Sequence, residues 1–308
     1  MSAPLVVPLV DEGLGNSSYL VDLGDGRALV VDASVDLRSV RTATGRTGLK
    51  IAYAGDTHLH ADFLSGARQL ATADGATVLA SASGNRQFPH TGLVDGQEVD
   101  LGGLRLTALV TPGHTMEHVS FLLSDGERPM GVFTGGSLLV GAAARTDLVD
   151  PDRTEELARA QYQSLQRLMS LPDDVEVWPT HGAGSFCSAP PGAERTSTIG
   201  RERATNPLLQ TAGEDQFVKR LLGTLGTFPE YFLRLPEINR RGPRVYGAAP
   251  LPPAVLVSEV EALRESGAQL IDVRPVPDYA KAHLTGAVAI PSLGAFPTWV
   301  GWVFSPHR

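Results

Sequence analysis

The stretch Thr57–Gly66, THLHADFLSG, places three side chains that can bind a metal within five residues. His58 and His60 are one residue apart, and Asp62 follows at the same spacing. Alternate positions of an extended chain face the same side, so these three side chains can share a centre. Imidazole and carboxylate ligands suit zinc, iron and manganese alike. Until its structural context is known, a polar loop with a chance HxHxD pattern explains the stretch equally well.

Two more histidines stand in similar surroundings, because His114 and His181 each follow a predicted strand and a turn that contains proline. The predicted strands before His58, His114 and His181 are Leu49–Ala54, Leu104–Thr111 and Val175–Trp178. Singly, each histidine is best read as structural, but three at strand ends indicate a metal site on one rim of a sheet. The candidate metal ligands are His58, His60, Asp62, His114 and His181.

The elements that position these residues alternate between strand-like and helical patterns. Asn16–Ala33 predicts a hairpin around a Gly-Asp-Gly turn. Helical spacing of apolar residues covers Leu64–Asp74 and the segment from Pro151 to Leu171. Further short strands are predicted at Thr77–Ala80, Val119–Leu123 and Met130–Phe133. This alternation indicates a layered α/β or α+β domain.

Composition narrows the class of protein. The chain has 308 residues, 42% of them hydrophobic, and it shows no apolar run long enough to span a membrane. Its N-terminus lacks the features of a signal peptide, and one cysteine, Cys187, fits a reducing compartment, so we expect a cytoplasmic protein. A net charge of −8 argues against a nucleic-acid partner, and no membrane partner is expected.

Several separated stretches together resemble the metallo-β-lactamase superfamily, in particular its persulfide dioxygenase branch. They are THLHADFLSG, TPGHTMEHVSF (Thr111–Phe121), FTGGSLLVGAAARTDL (Phe133–Leu148), WPTHGAGSFC (Trp178–Cys187), STIGRERATNPLL (Ser197–Leu209) and FPEYFLRLPEINRRGP (Phe228–Pro243). The resemblance implies an αββα sandwich, α/β (α+β) in class, with a metal at one edge of its two sheets. It also implies a small-molecule thiol persulfide and O₂ as substrates.

The sequence departs from that family at two ligand positions. In the dioxygenases two histidines and an aspartate hold one Fe(II), and the corresponding positions here are His58, His114 and Gly136, which has no side chain. Phe63 replaces the last histidine of HxHxDH, which argues against a second metal. We expect one metal ion, Fe(II) or alternatively Zn(II), in a His58, His60 and His114 triad with Asp62 close by. His60, Asp62 and His181 are also possible replacement ligands.

Three functions follow from the resemblance. The first is a persulfide dioxygenase-like enzyme of sulfide detoxification, which oxidises a low-molecular-weight thiol persulfide to sulfite and thiol with O₂. The second is a glyoxalase II-like thioesterase, in which a metal-bound hydroxide attacks the substrate. The third is a binding module for metal or sulfane sulfur that performs no chemistry, which Gly136 favours.

The C-terminal part resembles the start of a rhodanese domain in LIDVRPVPDYAKAHLTGAVAIP (Leu270–Pro291), after a helical segment Val257–Leu263. We therefore predict a metallo-β-lactamase-like domain with a helical extension over 1–243, a linker over 244–255 that contains AAPLPP, and the N-terminal half of a rhodanese-like domain over 256–308. No cysteine follows Cys187, so this truncated part should not transfer sulfur. The apolar stretch Phe296–Phe304 is expected to associate, giving a homo-oligomer, or to be disordered.

Other chemically active residues have simpler interpretations. Arg145 with Asp147, and Asp272 with Arg274, are predicted structural ion pairs. Cys187 is expected to be buried. No motif supports metal binding by the remaining candidates, which are His90, His118 and His307.

Overall fold

A computed structural model describes residues 6–187, 194–247 and 252–304. The chain divides into two compact units between Val245 and Tyr246, within the predicted linker 244–255. Residues 248–251 of that linker, and His307, lie outside the described residues. Within the described parts, no helix is both long and apolar enough to cross a bilayer.

The first unit contains two six-stranded sheets. The strands of the first sheet, in spatial order, are β1 (Val6–Asp11), β2 (Asn16–Asp22), β3 (Arg27–Val31), β4 (Lys50–Asp56), β5 (Thr77–Ser81) and β6 (Thr91–Leu93). Those of the second are β7 (Glu98–Asp100), β8 (Leu104–Val110), β9 (Val119–Asp125), β10 (Arg128–Gly135), β11 (Glu176–Pro179) and β12 (Ser197–Thr198). The helices are α1 (Arg38–Thr47), α2 (Ala67–Asp74), α3 (Thr154–Leu168), α4 (Ile199–Thr205), α5 (Glu214–Leu222) and α6 (Leu235–Arg241).

The two sheets pack face to face. One apolar core joins Tyr19, Leu29 and Leu79 of the first sheet to Phe121 and Phe133 of the second, all with at most 1% exposure. Burial on this scale is the main favourable contribution to folding. A sheet covered on its inner face by another sheet and on its outer face by helices explains why most strand residues on both faces are apolar.

Helices cover the outer face of each sheet. Val40 of α1 and Leu70 of α2 pack on the first sheet with Val30 of β3. Leu165 of α3 and Phe217 of α5 pack on the second sheet in a separate cluster. The layers are therefore helix, sheet, sheet and helix, as the predicted αββα sandwich requires.

The predicted strands and helices of this unit are confirmed, with shifts at their ends. The hairpin 16–33 forms β2 and β3, paired antiparallel from Tyr19 opposite Val31. The predicted helix from Leu64 begins only at Ala67, because Gly66 lies against the backbone of Ser34 and the chain before it forms the histidine loop. The helix α1 was not predicted, since its face toward the sheet is short and its other positions are polar.

The second unit contains α7 (Val257–Glu265), β13 (Leu270–Asp272), α8 (Val276–Lys281), β14 (Ala287–Ala289) and α9 (Phe296–Val303). The strands β13 and β14 are parallel and are joined through α8, a β-α-β arrangement. This order matches the predicted elements, and the rhodanese-like identity of the unit remains a prediction. Phe296–Phe304, predicted to lack packing partners, forms α9, in which Trp299 is 56% exposed. Arg274 forms the predicted ion pair with Asp272 at 2.5 Å.

Candidate metal centre

The histidine motif lies in the loop that follows β4. The backbone N–H of Val119, at the start of β9, donates a hydrogen bond of 2.9 Å to the carbonyl of Thr57. Arg86 is buried and donates from Nη2 to Asp56 at 3.1 Å and to the carbonyl of His58 at 3.2 Å. These bonds satisfy the buried backbone of the loop and hold it at the edge shared by both sheets.

Asn239 of α6 fixes the second half of the motif. Its Nδ2 donates to the carbonyls of His60 at 2.7 Å and Phe63 at 2.9 Å, and its Oδ1 accepts from the N–H of Ser65 at 2.9 Å. The side chain is buried, so these bonds cannot be exchanged for water. Sequence reasoning missed this residue, although it lies in the stretch Phe228–Pro243 that supported the resemblance.

The His181 loop is fixed to the start of β2. The N–H of Ser17 donates to the carbonyl of Thr180 at 2.7 Å, and the N–H of Gly182 donates to the carbonyl of Gly15 at 2.9 Å. His181 itself forms an isolated bridge with Asn16. The end of β11 in the second sheet is thereby brought beside the first sheet.

Three histidines from different strand ends converge at this edge. One nitrogen each of His58, His114 and His181 lies within 4.8 Å of the other two. The Nε2 atoms of His58 and His181 are 3.3 Å apart, and the three side chains are at most 1% exposed. Three imidazoles this close and this buried are a typical donor set for a metal ion.

His114 occupies the space beside Gly136. Its backbone N–H donates to Gln161 at 2.8 Å, and its Nδ1 lies 2.6 Å from the carbonyl oxygen of Arg145. A Cβ atom at Gly136 would stand 2.2 Å from Cδ2 of His114. The ring of His114 therefore occupies the space that a side chain at position 136 would need.

His60 does not join the three converging histidines. Its Nε2 lies 3.2 Å from Oδ1 of Asp32, yet neither ring nitrogen completes a hydrogen bond. Its ring stacks on Phe63, with centroids 4.1 Å apart and 24° between the planes. The predicted triad of His58, His60 and His114 stays a prediction, because His60 shares a group with His58 and Asp32 while His58 and His114 share another with His181.

Asp62 lies behind His181. Its Oδ2 accepts from Nδ2 of Asn16 at 2.6 Å and is 3.4 Å from Nδ1 of His181, while its buried Oδ1 has no hydrogen-bond partner. Cys187 is buried as predicted, and it shares with Asp62 and His181 a second group of atoms within 4.8 Å of one another. This buried cysteine was not expected near the site.

The structure also explains the other interpretations from sequence. His118 uses both ring nitrogens, since Nε2 accepts from the N–H of Gly136 at 3.0 Å and Nδ1 lies 2.9 Å from Oγ1 of Thr111. It stacks on His58, so it supports the site and has no nitrogen left for a metal. The predicted ion pair between Arg145 and Asp147 is present, at 2.7 Å.

Burial and neighbouring charges set the protonation of the cluster. Burial lowers the pKa of His114 to about 3, and it also holds the pKa of His58 well below the ordinary value. Burial disfavours the charged form of His181 too, but Cys187 and Asp62 raise its pKa above the ordinary value. Burial would raise the pKa of Asp62, yet His181 and Asn16 hold it below its usual range. Mostly neutral imidazoles beside a carboxylate can bind a divalent metal.

The ligand atoms of this cluster determine which kind of metal site it can form. Three convergent imidazole nitrogens fit one divalent ion, and Asp62, whose buried Oδ1 has no hydrogen-bond partner, belongs to the second group, with His181 and Cys187. A face of two histidines and a carboxylate from position 136 does not fit, because Gly136 has no side chain and His114 occupies the adjacent space. Phe63, at the position where the family resemblance implies a ligand of a second ion, stacks on His60.

Comparisons with known proteins agree with this description. A family model described as the metallo-beta-lactamase superfamily matches residues 11–181. The human mitochondrial persulfide dioxygenase ETHE1 is 32% identical over 181 residues, which cover 58% of this chain and 63% of the human protein. The hydroxyacylglutathione hydrolase of Methylococcus capsulatus is 29% identical over 264 residues, covering 77% of this chain and 96% of that enzyme.

Solved structures show the same similarity. A crystal structure of a metallo-beta-lactamase from Staphylococcus aureus has a TM-score of 0.85 at 30% identity, and the match covers 99% of this chain and 89% of that one. The crystal structure of ETHE1 from Myxococcus xanthus has a TM-score of 0.66 at 27% identity, covering 77% of this chain and 98% of that one.

Proposed function

The chain belongs to the metallo-beta-lactamase superfamily, and from that premise we propose that it is a mononuclear metal enzyme of the persulfide dioxygenase type. It would convert a low-molecular-weight thiol persulfide, with one O₂ and one water, into sulfite, the thiol and two protons. The terminal sulfur is oxidised, O₂ is reduced, and the thiol leaves with a proton. The similarity to ETHE1 from human and from Myxococcus xanthus supports this reaction class.

The observation that carries the proposal is the buried donor group of His58, His114 and His181, beside which two positions expected to serve a second metal carry no ligand. Phe63 stacks on His60 where a second metal would need a ligand, and Gly136 offers no bridging carboxylate. A dinuclear hydrolase would therefore lack these two ligands, whereas a one-metal dioxygenase needs a single set. The metal ligands come from the predicted residues His58, His60, Asp62, His114 and His181, and iron(II) held among them would supply the redox chemistry that O₂ requires.

The chain's own residues orient the ligands and exclude water. Thr57 and Arg145 each face the Nδ1 of one histidine, His58 and His114 respectively. An apolar cluster that includes Ala61, Cys187 and Phe232 packs beside the motif. Because the histidines are almost fully enclosed, a persulfide can reach them only when part of this cover moves.

A thioesterase is the second candidate. The hydroxyacylglutathione hydrolase of Methylococcus capsulatus matches over nearly its whole length, so hydrolysis of a glutathione thioester has direct support from similarity. The loss of both second-metal positions argues against it. Enclosure of the histidines favours the third candidate, a binding module for metal or sulfane sulfur.

The test uses protein purified from iron-supplemented cells and assayed with glutathione persulfide. We expect O₂ uptake with an equal amount of sulfite, and the loss of both in His58→Asn and His114→Asn. A His90→Asn variant, whose ring bonds to the carbonyl of Phe88 outside the cluster, is the matched control. Hydrolysis of lactoylglutathione without O₂ uptake would replace the proposal by the thioesterase, and bound metal with neither activity would leave the binding module.

A further inference from the structure

We propose that His181 is the third metal ligand, so that one ion is bound by the Nε2 atoms of His58, His114 and His181. In this arrangement a histidine from the β11 loop replaces the carboxylate that Gly136 lacks. The inference rests on the proposed metal-dependent function and makes it specific, because it names which of the five predicted residues bind the ion. His60 and Asp62 then support the ligands.

Hydrogen bonds determine which nitrogen of His58 is free. Thr57 Oγ1 donates its single proton to Oδ2 of Asp32 at 2.7 Å, since a carboxylate can only accept. The same Oγ1 lies 2.8 Å from Nδ1 of His58 and must accept there. Nδ1 of His58 therefore carries the proton, and its Nε2 has a free lone pair.

The same reasoning applies to His114 without ambiguity. The partner of its Nδ1 is the backbone carbonyl oxygen of Arg145 at 2.6 Å, which can only accept. Nδ1 of His114 is the donor, and its Nε2 is left with a lone pair. A carbonyl partner of this kind is the usual means by which proteins orient a metal-binding histidine.

Nδ1 of His181 faces acceptors as well. Asn16 directs its amide group to Asp62, so its Oδ1, 3.0 Å from Nδ1 of His181, is an acceptor. Oδ2 of Asp62 is a second acceptor, at 3.4 Å. Nε2 of His181 therefore faces Nε2 of His58, 3.3 Å away. Two imidazole nitrogens bound to one tetrahedral ion lie about this far apart, so the separation fits a shared metal ion that takes the place of the proton between them.

The alternative ligands lie outside the group that His58, His114 and His181 form. Nε2 of His60 lies beside Asp32, and its ring is covered by Phe63. Asp62 is bonded through Oδ2 to Asn16 and faces the far side of His181, so its carboxylate raises the basicity of that ligand from behind. The set of three neutral imidazoles suits zinc as well as iron, and it leaves a fourth position for a substrate.

The test measures metal binding directly. Metal-free protein is titrated with Zn²⁺ against a chelator and with Co²⁺ by visible absorption, in the unaltered chain and in His181→Asn, His60→Asn and His90→Asn. We expect His181→Asn to weaken Zn²⁺ binding by at least about 100-fold and to change the Co²⁺ spectrum, since even partners of ligands are worth 10 to 100-fold. His60→Asn should weaken it by less than about 10-fold, as a supporting residue, and His90→Asn not at all.

A measurement on the unaltered chain guards against a variant that does not fold. With ¹⁵N-labelled histidine, Zn²⁺ should shift the Nε2 resonances of three histidines, including His181, and leave the Nε2 of His60 without a metal-bound shift. Loss of binding in His60→Asn with retention in His181→Asn, or a metal-bound shift at His60 in place of His181, would refute the assignment while leaving a metal enzyme in place. An unaltered chain that binds neither Zn²⁺ nor Fe²⁺ would refute the proposed function as well.

Discussion

Gly136 and His114 form a matched pair. The ring of His114 fills the space that a side chain at position 136 would need, with Cδ2 only 2.2 Å from the place of a Cβ atom. The observed position of the His114 ring therefore requires a residue without a side chain at position 136. A close contact of this kind with a buried ring cannot relax without moving the ring, because the interior is tightly packed.

Replacing Gly136 should therefore damage the site even when the new side chain is a potential ligand. We expect Gly136→Ala and Gly136→Asp both to lower Zn²⁺ affinity by about 10-fold or more, since each displaces His114. Competition with a chelating dye measures the affinity. Gly45→Ala is the control, because a Cβ atom there meets nothing within 4 Å. A Gly136→Asp variant that binds iron more tightly than the unaltered chain would show that His114 moves aside freely.

Hydrogen bonds to Asp32 connect the ends of three strands, β3, β4 and β11. Asp32, after β3, accepts from the N–H of Thr57 at 2.7 Å, from Oγ1 of Thr57 and from Oγ1 of Thr180. Burial would raise the pKa of Asp32, but His60 and the bonds from Thr180 and Thr57 hold it below the ordinary value. Asp32 itself has a φ of 53°, a conformation that costs energy in residues other than glycine and that is retained where contacts demand it.

The end of β13 offers a test of pH dependence in the second unit. Hydrogen bonds from Arg274 lower the pKa of Asp272 to about 2. A carboxyl group whose pKa is depressed on folding adds stability that is fully present above its unfolded pKa of about 4 and is lost as the pH falls toward 2. Carboxyl ¹³C NMR should show Asp272 titrating near 2, and near 4 in Arg274→Ala.

Arg264→Ala is the control for that titration. Nη1 of Arg264 donates to the carbonyl of Thr285 and contacts no carboxylate of the pair, so its loss should leave the low pKa of Asp272 in place. If Asp272 of the unaltered chain titrated near 4, its bond to Arg274 would not be maintained in solution.

The whole chain consists of two units with unequal cores. The first, up to Val245, holds four apolar clusters and every residue of the candidate metal centre. In the second unit α9 carries Trp299 at 56% and Val303 at 49% exposure. An apolar helix face exposed to this degree favours association.

Removing residues 254–308 should therefore leave the first unit folded and its metal content unchanged, while solubility improves. Metal analysis by mass spectrometry, together with urea unfolding, measures this. Trp299→Ser in the full chain is the matched variant, and we expect it to reduce association in the same direction. Loss of folding on truncation would mean that the first unit depends on the second for its stability.

Much of the site was predictable from the sequence for local physical reasons. Alternation of apolar residues predicted the strands, and the turns after them predicted that His58, His114 and His181 lie at one edge of the sandwich. The absent side chain at Gly136 and the replacement at Phe63 are also visible in the sequence. These features depend on neighbours along the chain or on residue type alone.

The choice among the candidate ligands depended on contacts between distant parts of the chain. Asn16 and His181 are 165 positions apart, Asp32 and Thr180 are 148 apart, and Asn239 reaches the carbonyl of His60 across 179. Local sequence patterns cannot predict such pairs, because each contact forms only when the two sheets pack against each other. The sequence therefore identified the five candidate ligands, whereas the packing of the two sheets determined that His58, His114 and His181 converge while His60 faces Asp32.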